Sequence, residues 1–528
     1  MSSQLILRKW LAVIAGASML FLYLLYTVNA GQAQLVANNS SVGQFDAVNY
    51  IKDNLLVHKL QVQEPVLNMT HTSTLSDRYD IAVPSPSLIW TEQDVSFFKT
   101  AAGETLFSQL ALIPEPGTVP NLASITAAER LFKALFTYFD SILALDPSIY
   151  LDNDPKYKDS WKFFKRLESS LYPWIYPHWD NAFHINNQTN GRGIVLCVGN
   201  NQFKFAATTI RAIRQLFHSR LPIEVFFIRD SDLQEAKRQY LKSEFQDLQL
   251  MKLEDYVSDY YTKFGGWAMK PFAILASKFT EVIMMDADVF FFQDPGMLFE
   301  DEGYKATGSL FYYDRTLFPN STTGPDCMRS FFPSMSSFVP HSRWFKQAST
   351  HEQESGVVVM NKRKALLGLL STCKLNSKTE RDELVYKRVY GDKETFWIGF
   401  EVMQTPYAFV KSFAGVIGDH GRGGDDGSPD YLCGNEIHFD VNEKPLWLNG
   451  GLYRNKHAKN GLEYLNFTYY AFGDEWELKS GCLKSKENMY VLDPEQKVYA
   501  LASIELDKKT IEDQRLLEKN EWKFKDLL

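Results

Sequence analysis

The chain has 528 residues, of which 45% are hydrophobic and 14% aromatic, and its formal net charge is −8. This length accommodates two or three structural units, and the composition is that of a globular protein rather than a solenoid or a low-complexity chain. The acidic balance argues against nucleic acid as the main partner, because nucleic-acid binding depends on a basic surface that neutralises phosphates.

The N-terminus predicts a membrane anchor. Residues 10–28 form an uncharged run preceded by Arg8 and Lys9. About 20 apolar residues cross a bilayer as a helix, and basic flanking residues favour the cytoplasmic side. A cleaved signal peptide ending near Ala30 is the alternative. We expect residues 1–9 to be a cytoplasmic tail, residues 10–28 a single-pass signal anchor and the rest of the chain lumenal.

Sequons and cysteines fit a lumenal chain. The Asn-x-Ser/Thr sequons begin at Asn38, Asn39, Asn68, Asn187, Asn320 and Asn466. The cysteines are Cys197, Cys327, Cys373, Cys433 and Cys482. An odd count in an oxidising compartment predicts at least one unpaired thiol, and we expect it to be Cys197, which lies in a predicted strand. The other four allow three pairings, and no spacing indicates a zinc site.

The chain then divides by composition. Residues 29–95, rich in Asn, Ser, Thr and Gln, predict an extended stem. Residues 96–190 predict a helical module, because a capping box at Thr126 and Glu129 opens a segment with apolar residues at helical spacing. We interpret the aromatic side chains of this module as core rather than as a ligand platform.

Residues 191–460 predict an α/β domain, and residues 461–528 a C-terminal extension. An apolar strand at 194–198, an amphipathic helix with apolar residues from Ala206 to Phe217 and a strand at 223–228 form a βαβ unit, which implies a parallel sheet. In such sheets ligands bind beyond the carboxyl ends of the strands.

A pair of aspartates lies at one of these strand ends. Asp286 and Asp288 follow the apolar run 282–285. Side chains two apart on an extended segment point to the same side, and two adjacent carboxylates repel each other unless a cation or a proton lies between them. Hard ions such as Mn²⁺ and Mg²⁺ favour oxygen ligands. The pair therefore predicts a metal and diphosphate site, with a solvated acidic turn as the alternative.

Further polar segments carry candidate site residues. Lys270 opens a predicted helix whose N-terminus attracts phosphate. The remaining segments are residues 351–361, 391–401 and 437–451. The glycine-rich run 418–427 predicts a flexible surface loop, with a lid over the site as the alternative.

Taken in order, these segments resemble the fungal Golgi α-1,3-mannosyltransferases, glycosyltransferase family 71, which are type II membrane proteins. The similarity covers about residues 190–455 and rests on many segments rather than one. Those segments are Asp-x-Asp at 286–288, Glu-Ser-Gly-Val-Val-Val at 354–359, Gly-Asp-Lys-Glu-Thr-Phe-Trp at 391–397, Lys-Pro-Leu-Trp-Leu-Asn-Gly at 444–450, and the runs 192–199, 222–225 and 307–315.

The resemblance implies a GT-A type Rossmann-like fold, GDP-mannose as donor, and Mn²⁺ as cofactor with Mg²⁺ as the alternative ion. It implies that mannose is transferred, with retention, to a terminal mannose of N- or O-linked glycans in the Golgi, and it allows membership of a Golgi mannosyltransferase complex. Asp286 and Asp288 carry over as metal and diphosphate ligands. A more distant similarity to glycogenin-like transferases makes His438 the third metal ligand, although the motif glycine is absent and Leu446 is inserted.

The same resemblance suggests roles for charged residues. Lys270, and after it Lys393 and Lys444, are candidates to stabilise the departing diphosphate. Asp392 and Glu354 are the candidate catalytic carboxylates that steady an oxocarbenium-like sugar. Alternative functions are an α-1,2-mannosyltransferase, a transferase that uses another nucleotide sugar, and a catalytically silent glycan-binding relative. A glycosidase is excluded because carboxylates at one strand end do not flank a sugar from both sides.

Overall fold

The computed structural model describes residues 75–83, 121–332, 334–423, 428–458, 463–477, 481–484 and 488–522. The predicted tail, the anchor, most of the predicted stem and residues 96–120 of the predicted helical module lie outside these residues. Within the described residues, no helix is both long enough and apolar enough to span a bilayer.

The main sheet is mixed, as the α/β prediction requires. Within the described residues its eight strands run in the order β1-β9-β7-β8-β5-β2-β3-β4. Strands β2, β3, β4 and β5 are parallel, and β8 is antiparallel to β5. The strands are β1 (Tyr79–Ala82), β2 (Arg192–Cys197), β3 (Ile223–Phe227), β4 (Leu248–Lys252), β5 (Glu281–Met285), β7 (Ser309–Tyr313), β8 (Gln353–Asn361) and β9 (Tyr407–Val410).

Strand order reverses between β2 and β5. The chain moves outward from β2 through β3 to β4, and then returns to place β5 on the other side of β2. In open α/β sheets the crevice at such a reversal, beyond the carboxyl ends of the strands, is where ligands bind. Asp286 follows β5 directly and therefore lies at this crevice.

Helices cover both faces of the sheet and bury its apolar side chains in two clusters. They are α1 (Leu122–Leu145), α2 (Lys158–Leu171), α3 (Ala182–Asn187), α4 (Phe203–Gln215), α5 (Glu235–Glu244), α6 (Asp259–Thr262), α7 (Lys270–Ala276), α8 (Glu302–Thr307), α9 (Thr323–Phe331), α10 (Lys362–Leu375), α11 (Lys378–Glu380), α12 (Thr395–Val402) and α13 (Pro494–Glu518). Short turns of 3₁₀ helix cover Pro173–Ile175, Leu253–Asp255, Gly266–Met269, Pro295–Glu300 and Val339–His341.

A second, antiparallel sheet lies beside the ligand-binding edge. Its β12 pairs with β6, which follows Asp288 closely in the chain. The strands of this sheet are β6 (Phe290–Phe291), β10 (Gly415–Gly423), β11 (Ser428–Phe439), β12 (Pro445–Asn449), β13 (Tyr469–Ala471), β14 (Trp476–Glu477), β15 (Cys482–Lys484) and β16 (Met489–Val491).

The glycine-rich run predicted to be a flexible loop lies partly in this sheet. Residues 418–423 belong to β10, which pairs with β11, and residues 424–427 lie outside the described residues. The glycines permit close backbone approach, because a Cβ at Gly418 would lie 2.1 Å from the Cys433 carbonyl oxygen. The prediction of a loop is therefore wrong for 418–423.

The helical segment shares its core with the sheet. Glu129 of α1 is fully buried and accepts hydrogen bonds from Tyr172 Oη (2.9 Å) and from Ser371 Oγ (2.8 Å) of α10. The aromatic side chains of α1 and α2 pack against one another, in the same hydrophobic cluster as apolar side chains of β5 and β8. The interpretation of these side chains as core thus agrees with the structure.

Both ends of the described chain pack against the α/β domain. Strand β1, from the segment predicted to be stem, pairs with β9 at the sheet edge. Helix α13, from the predicted extension, packs on α4, where the buried Arg211 contacts Asp513 Oδ2 at 2.7 Å. Because an isolated buried guanidinium is costly, this pair ties α13 firmly to the domain.

One disulfide joins Cys433 of β11 to Cys482 of β15, whose residues are cross-strand partners. Cys197, Cys327 and Cys373 are free. Cys197 is thus unpaired as predicted, and the structure adds two further free thiols, both buried in the apolar core.

Candidate active site

Asp286 and Asp288 lie in the turn that ends β5. The Asp286 backbone N–H donates to the Gly356 carbonyl of β8 (2.8 Å), and the Asp288 carbonyl accepts from the Gly451 N–H (2.9 Å). Their side chains are 22% and 14% exposed. The backbone of the turn is therefore fixed by two neighbouring segments, while both carboxylates remain accessible to a ligand.

Lys270 joins two of the predicted site carboxylates. Its Nζ lies 2.7 Å from Asp286 Oδ1 and 3.5 Å from Asp392 Oδ2, and it also contacts Ser355. Burial would lower the pKa of Lys270, but the two carboxylates outweigh burial and raise it above its usual value. Burial raises the pKa of Asp286 to about 7, against the opposing effect of Lys270. Lys270 therefore carries a permanent charge at the site.

Lys393 organises a second, more buried cluster. Its Nζ lies 2.7 Å from Asp314 Oδ2 and forms an ion pair with Glu354. Although burial opposes ionisation, Lys393 holds the pKa of both carboxyls below their usual values. Glu354 Oε1 also accepts from the Gly356 N–H (2.7 Å) and from Asn449 Nδ2 (2.8 Å). Glu354 is thus an ionised carboxylate with fixed geometry.

Glu436 completes the acidic part of this cluster. Oxygens of Asp314, Glu354 and Glu436 lie within 4.8 Å of one another. Arg315 Nε lies 3.2 Å from Glu436 Oε2, and Lys393 occupies the space beside the other two carboxylates. Because the triad is buried, its oxygens are less accessible to an ion from solvent than those of Asp286 and Asp288.

His438 does not join Asp286 and Asp288. Among the described residues, the Asp314 triad is the one group of three or more acidic, histidine or cysteine ligand atoms within 4.8 Å. The His438 ring is 1% exposed and stacks on Trp447 with centroids 3.8 Å apart. Burial lowers its pKa to about 3, so the ring is neutral. The structure thus stacks His438 on Trp447, and the three predicted ligands do not come within 4.8 Å of one another, so the predicted third ligand gains no support from these positions.

Lys444 also lies away from these groups. It is exposed in the turn between β11 and β12, where its backbone N–H donates to Asp440 Oδ1 (3.0 Å). Asn449, which contacts Glu354, lies at the opposite end of β12. An extended strand from Pro445 to Asn449 is about 13 Å long. The resemblance to a Lys-Pro-Trp motif therefore does not bring Lys444 to the site.

The two predicted catalytic carboxylates are close to the site but shielded. Asp392 is 2% and Glu354 1% exposed. Burial raises the pKa of Asp392, and its Oδ2 accepts a hydrogen bond from Ser355 Oγ (3.2 Å). Asp286 and Asp288 are the accessible carboxylates. Asp392 and Glu354 are more deeply buried, and each contacts a lysine, Lys270 and Lys393 respectively.

Sequence reasoning missed several residues of the site. Lys456, from the segment after β12, forms an ion pair with Asp288. Asp314 directly follows β7 just as Asp286 follows β5, and this shared position at a strand end was a signal that could have found it. Nothing local in the sequence marks Lys456, Arg315 or Glu436, because each reaches the site through the second sheet or across strands.

The arrangement suits an anionic, phosphate-bearing ligand with a divalent cation. Lys270 and Lys456 each lie beside one of the two accessible carboxylates. Carboxylate oxygens are the ligands that Mn²⁺ and Mg²⁺ prefer, with phosphate oxygens completing the shell. Fold and site together define an α/β protein with a nucleotide-type site at the strand reversal.

Comparison with known sequences finds similarity to mannosyltransferases. Residues 191–440 match the Mannosyl_trans3 family model of mannosyltransferases. The alpha-1,3-mannosyltransferase MNT3 of Saccharomyces cerevisiae is 27% identical over 304 residues, which cover 51% of this chain and 47% of that protein. The protein named probable alpha-1,3-mannosyltransferase MNT4, from the same yeast, is 27% identical over 319 residues, covering 52% of each. These matches agree with the resemblance to fungal α-1,3-mannosyltransferases seen in the motifs of the chain. The chain spans about half the length of the curated relatives it matches.

Solved structures give weaker likenesses. The mannosyltransferase Ktr4p from S. cerevisiae in complex with GDP is 13% identical, with a TM-score of 0.27 over 44% of this chain and 72% of that chain. The galactosyltransferase LgtC is 12% identical, with a TM-score of 0.28 over 40% of this chain and 70% of that chain. TM-scores this low do not establish a common fold.

Proposed function

We propose that this protein is a retaining, metal-dependent glycosyltransferase of the GT-A type. It transfers mannose from GDP-mannose to a terminal mannose of N- or O-linked glycans and forms an α-1,3 linkage. The observation that carries the proposal is the accessible Asp286–Asp288 pair at the strand reversal, beside Lys270, inside the segment that matches the mannosyltransferase family.

The donor set of the pair fits a hard divalent cation. Asp286 and Asp288 offer partly exposed carboxylate oxygens, whereas the triad of Asp314, Glu354 and Glu436 is buried. Asp286 and Asp288 would hold the ion. When bound, Mn²⁺ or Mg²⁺ supplies Lewis-acid stabilisation of the negative charge on the departing diphosphate.

The lysines of the site complement that charge. Lys270 is held between Asp286 and Asp392, and Lys456 pairs with Asp288. Binding of a diphosphate between them adds new acceptors for both ammonium groups. Positioned cations of this kind stabilise charge that develops in the transition state, and they cost no reorganisation when it forms.

The buried carboxylates of Asp392 and Glu354 stabilise positive charge on the sugar. Departure of the diphosphate leaves positive charge on the mannosyl ring, and Asp392 and Glu354 place negative charge behind the accessible pair. Glu354 is fixed by Lys393, Asn449 and the Gly356 N–H. Because such fixed charges lie in a dry environment, they act more strongly than they would in water.

We also propose that the protein works on the lumenal side of the Golgi membrane, as a single-pass type II protein. The predicted anchor at residues 10–28 and the sequons support this. The Cys433–Cys482 disulfide supports it further, since disulfides persist in oxidising compartments.

Transfer of labelled mannose by the detergent-solubilised full-length protein tests the proposal. GDP-mannose, Mn²⁺ and a short α-mannoside should give a product that α-1,3-specific mannosidase digests and α-1,2-specific mannosidase leaves intact. Matched reactions contain chelator, or GDP-glucose in place of GDP-mannose. Absence of product from folded protein, or transfer from another donor only, would overturn the proposed function.

A further inference from the structure

Two aromatic side chains are exposed at the mouth of the site. Trp267 is 49% and Tyr390 62% exposed, and their ring centroids lie 5.4 Å apart. Scattered exposed hydrophobic residues are ordinary, but these two are in contact although they come from distant parts of the chain. We call this pair the aromatic platform.

The backbone connects the aromatic platform to the charged residues of the site. Trp267 lies in the 3₁₀ turn that leads into Lys270, and Tyr390 is two residues before Asp392. Gly391 lies between them with φ of +68°, and a Cβ there would lie 2.8 Å from the Trp267 ring. A glycine at this position thus lets the Trp267 ring pack directly against the loop that carries Asp392.

A polar side chain lies beside the platform. The His351 ring centroid is 6.3 Å from that of Tyr390, and its Nδ1 lies 3.8 Å from Asp314 Oδ2. This Nδ1 is buried and has no hydrogen-bond partner within the described part of the chain. The His351 side chain as a whole is 15% exposed, so a polar ring borders the platform at its Tyr390 edge.

The position of the aromatic platform can be described relative to the strands of the main sheet. A nucleotide is expected in the crevice between β2 and β5. His351 precedes β8 and Asp314 follows β7, and both strands lie on the other side of β5 in the sheet. The Tyr390 end of the platform therefore lies toward β7 and β8, whereas Trp267 precedes α7, which packs against β2 and β5.

We propose that the aromatic platform of Trp267 and Tyr390 is the acceptor subsite, which binds the pyranose ring of a mannoside. A pyranose presents C–H groups on one face, which suit the negative face of an aromatic ring, and hydroxyl groups around its edge. The rings supply the first contact and His351 the second. This inference rests on the proposed function, since it names where that reaction's acceptor binds.

Steady-state kinetics of the full-length protein test the subsite. The variants are Trp267→Ala and Tyr390→Ala, with Tyr390→Phe as the conservative control that keeps the ring. Tyr150→Ala is the matched control, because Tyr150 is 64% exposed in the loop after α1. We expect each alanine variant at the platform to raise KM for α-mannobiose about tenfold and to leave KM for GDP-mannose unchanged. Both controls should behave as wild type.

Two outcomes would overturn the proposal. One is an unchanged acceptor KM in both alanine variants. The other is a rise confined to the KM for GDP-mannose, which would make the platform a nucleobase-stacking site.

A binding experiment separates this inference from the proposed function. Saturation-transfer NMR with α-mannobiose and GDP needs no turnover, and the wild type should show transfer to mannose ring protons that Trp267→Ala loses. If the wild type moves no mannose from GDP-mannose but gives this signal, the proposed function fails and the subsite stands. If the wild type gives no saturation-transfer signal, the proposed subsite is wrong, whether or not the protein transfers mannose.

Discussion

Lys270 and Asp286 form an ion pair at the end of β5, with Nζ 2.7 Å from Oδ1. The same ammonium also contacts Asp392, so one buried cation connects an accessible carboxylate to a shielded one. This relationship explains how the chain keeps several carboxylates together at the strand reversal, since unpaired buried charges would be strongly destabilising. It also indicates that the two kinds of carboxylate have different tasks.

Removing either accessible carboxylate should abolish transfer. Asp286→Asn and Asp288→Asn keep the size of the side chain but remove a metal-binding charge, and we expect turnover to fall by about 10²–10³. Initial rates at saturating GDP-mannose and Mn²⁺ measure the loss. Asp326→Asn, at an exposed position of α9, is the control. Near-normal turnover in either site variant would refute the metal assignment.

His438 should contribute packing rather than coordination. His438→Phe preserves the stacked contact with Trp447, and we expect its affinity for Mn²⁺, followed by electron paramagnetic resonance, to equal that of the wild type. The Asp288→Asn variant should lose affinity in the same titration. A comparable loss in His438→Phe would show that His438 reaches the ion after all.

Lys393 should be important for stability as well as activity. Lys393→Met leaves Asp314 and Glu354 buried without their shared cation, which should lower the free energy of unfolding by about 3–5 kcal/mol. In the double variant Lys393→Met/Glu354→Gln, the free energy of unfolding should fall by less than the sum of the losses in the two single variants, because the two side chains interact. Urea denaturation measures all three variants, and Lys387→Met, in an exposed pair with Glu383, is the control. Strict additivity would contradict the coupling.

Glu394 should make the protein less stable as the pH rises. It is fully buried, where it accepts from Trp397 Nε1 (2.5 Å), and burial raises its pKa to about 8. The folded state therefore keeps a proton that the unfolded chain releases near pH 4.5, so stability falls as the pH rises from there to about 8.

The variant Glu394→Gln removes this titration. Between pH 5 and pH 8 its urea midpoint should fall less than that of the wild type. Glu512→Gln, on the exposed side of α13, should follow the wild type. Parallel pH profiles for Glu394→Gln and wild type would show that Glu394 does not titrate in this range.

The Cys433–Cys482 disulfide should stabilise the second sheet. Replacing both cysteines by serine should lower the free energy of unfolding by about 2–4 kcal/mol, because the bond constrains the unfolded chain. Reductant should lower the unfolding midpoint of the wild type and leave that of the double variant unchanged. An equal effect of reductant on both proteins would mean that the bond does not form.

The sequence by itself determined the α/β class and the position of the aspartate pair. Both depend on local patterns: alternating apolar strands and amphipathic helices fix the parallel sheet, and acidic residues directly after a buried strand must emerge at its edge. Asp286, Asp288 and Lys270 were therefore predictable. Their order in the chain, together with the downstream segments, also carried the resemblance to the fungal α-1,3-mannosyltransferases.

Only the tertiary structure decided which groups meet. Lys456 reaches Asp288 because β12 pairs with β6, and Cys433 faces Cys482 because of the register of β11 with β15. The same packing stacks His438 on Trp447 and leaves Lys444 exposed in the turn between β11 and β12. Ion pairs, disulfides and ring contacts between distant segments depend on strand register and helix docking. A single sequence does not encode these in any local pattern, because a shift of one residue in register would reverse every side chain of a strand.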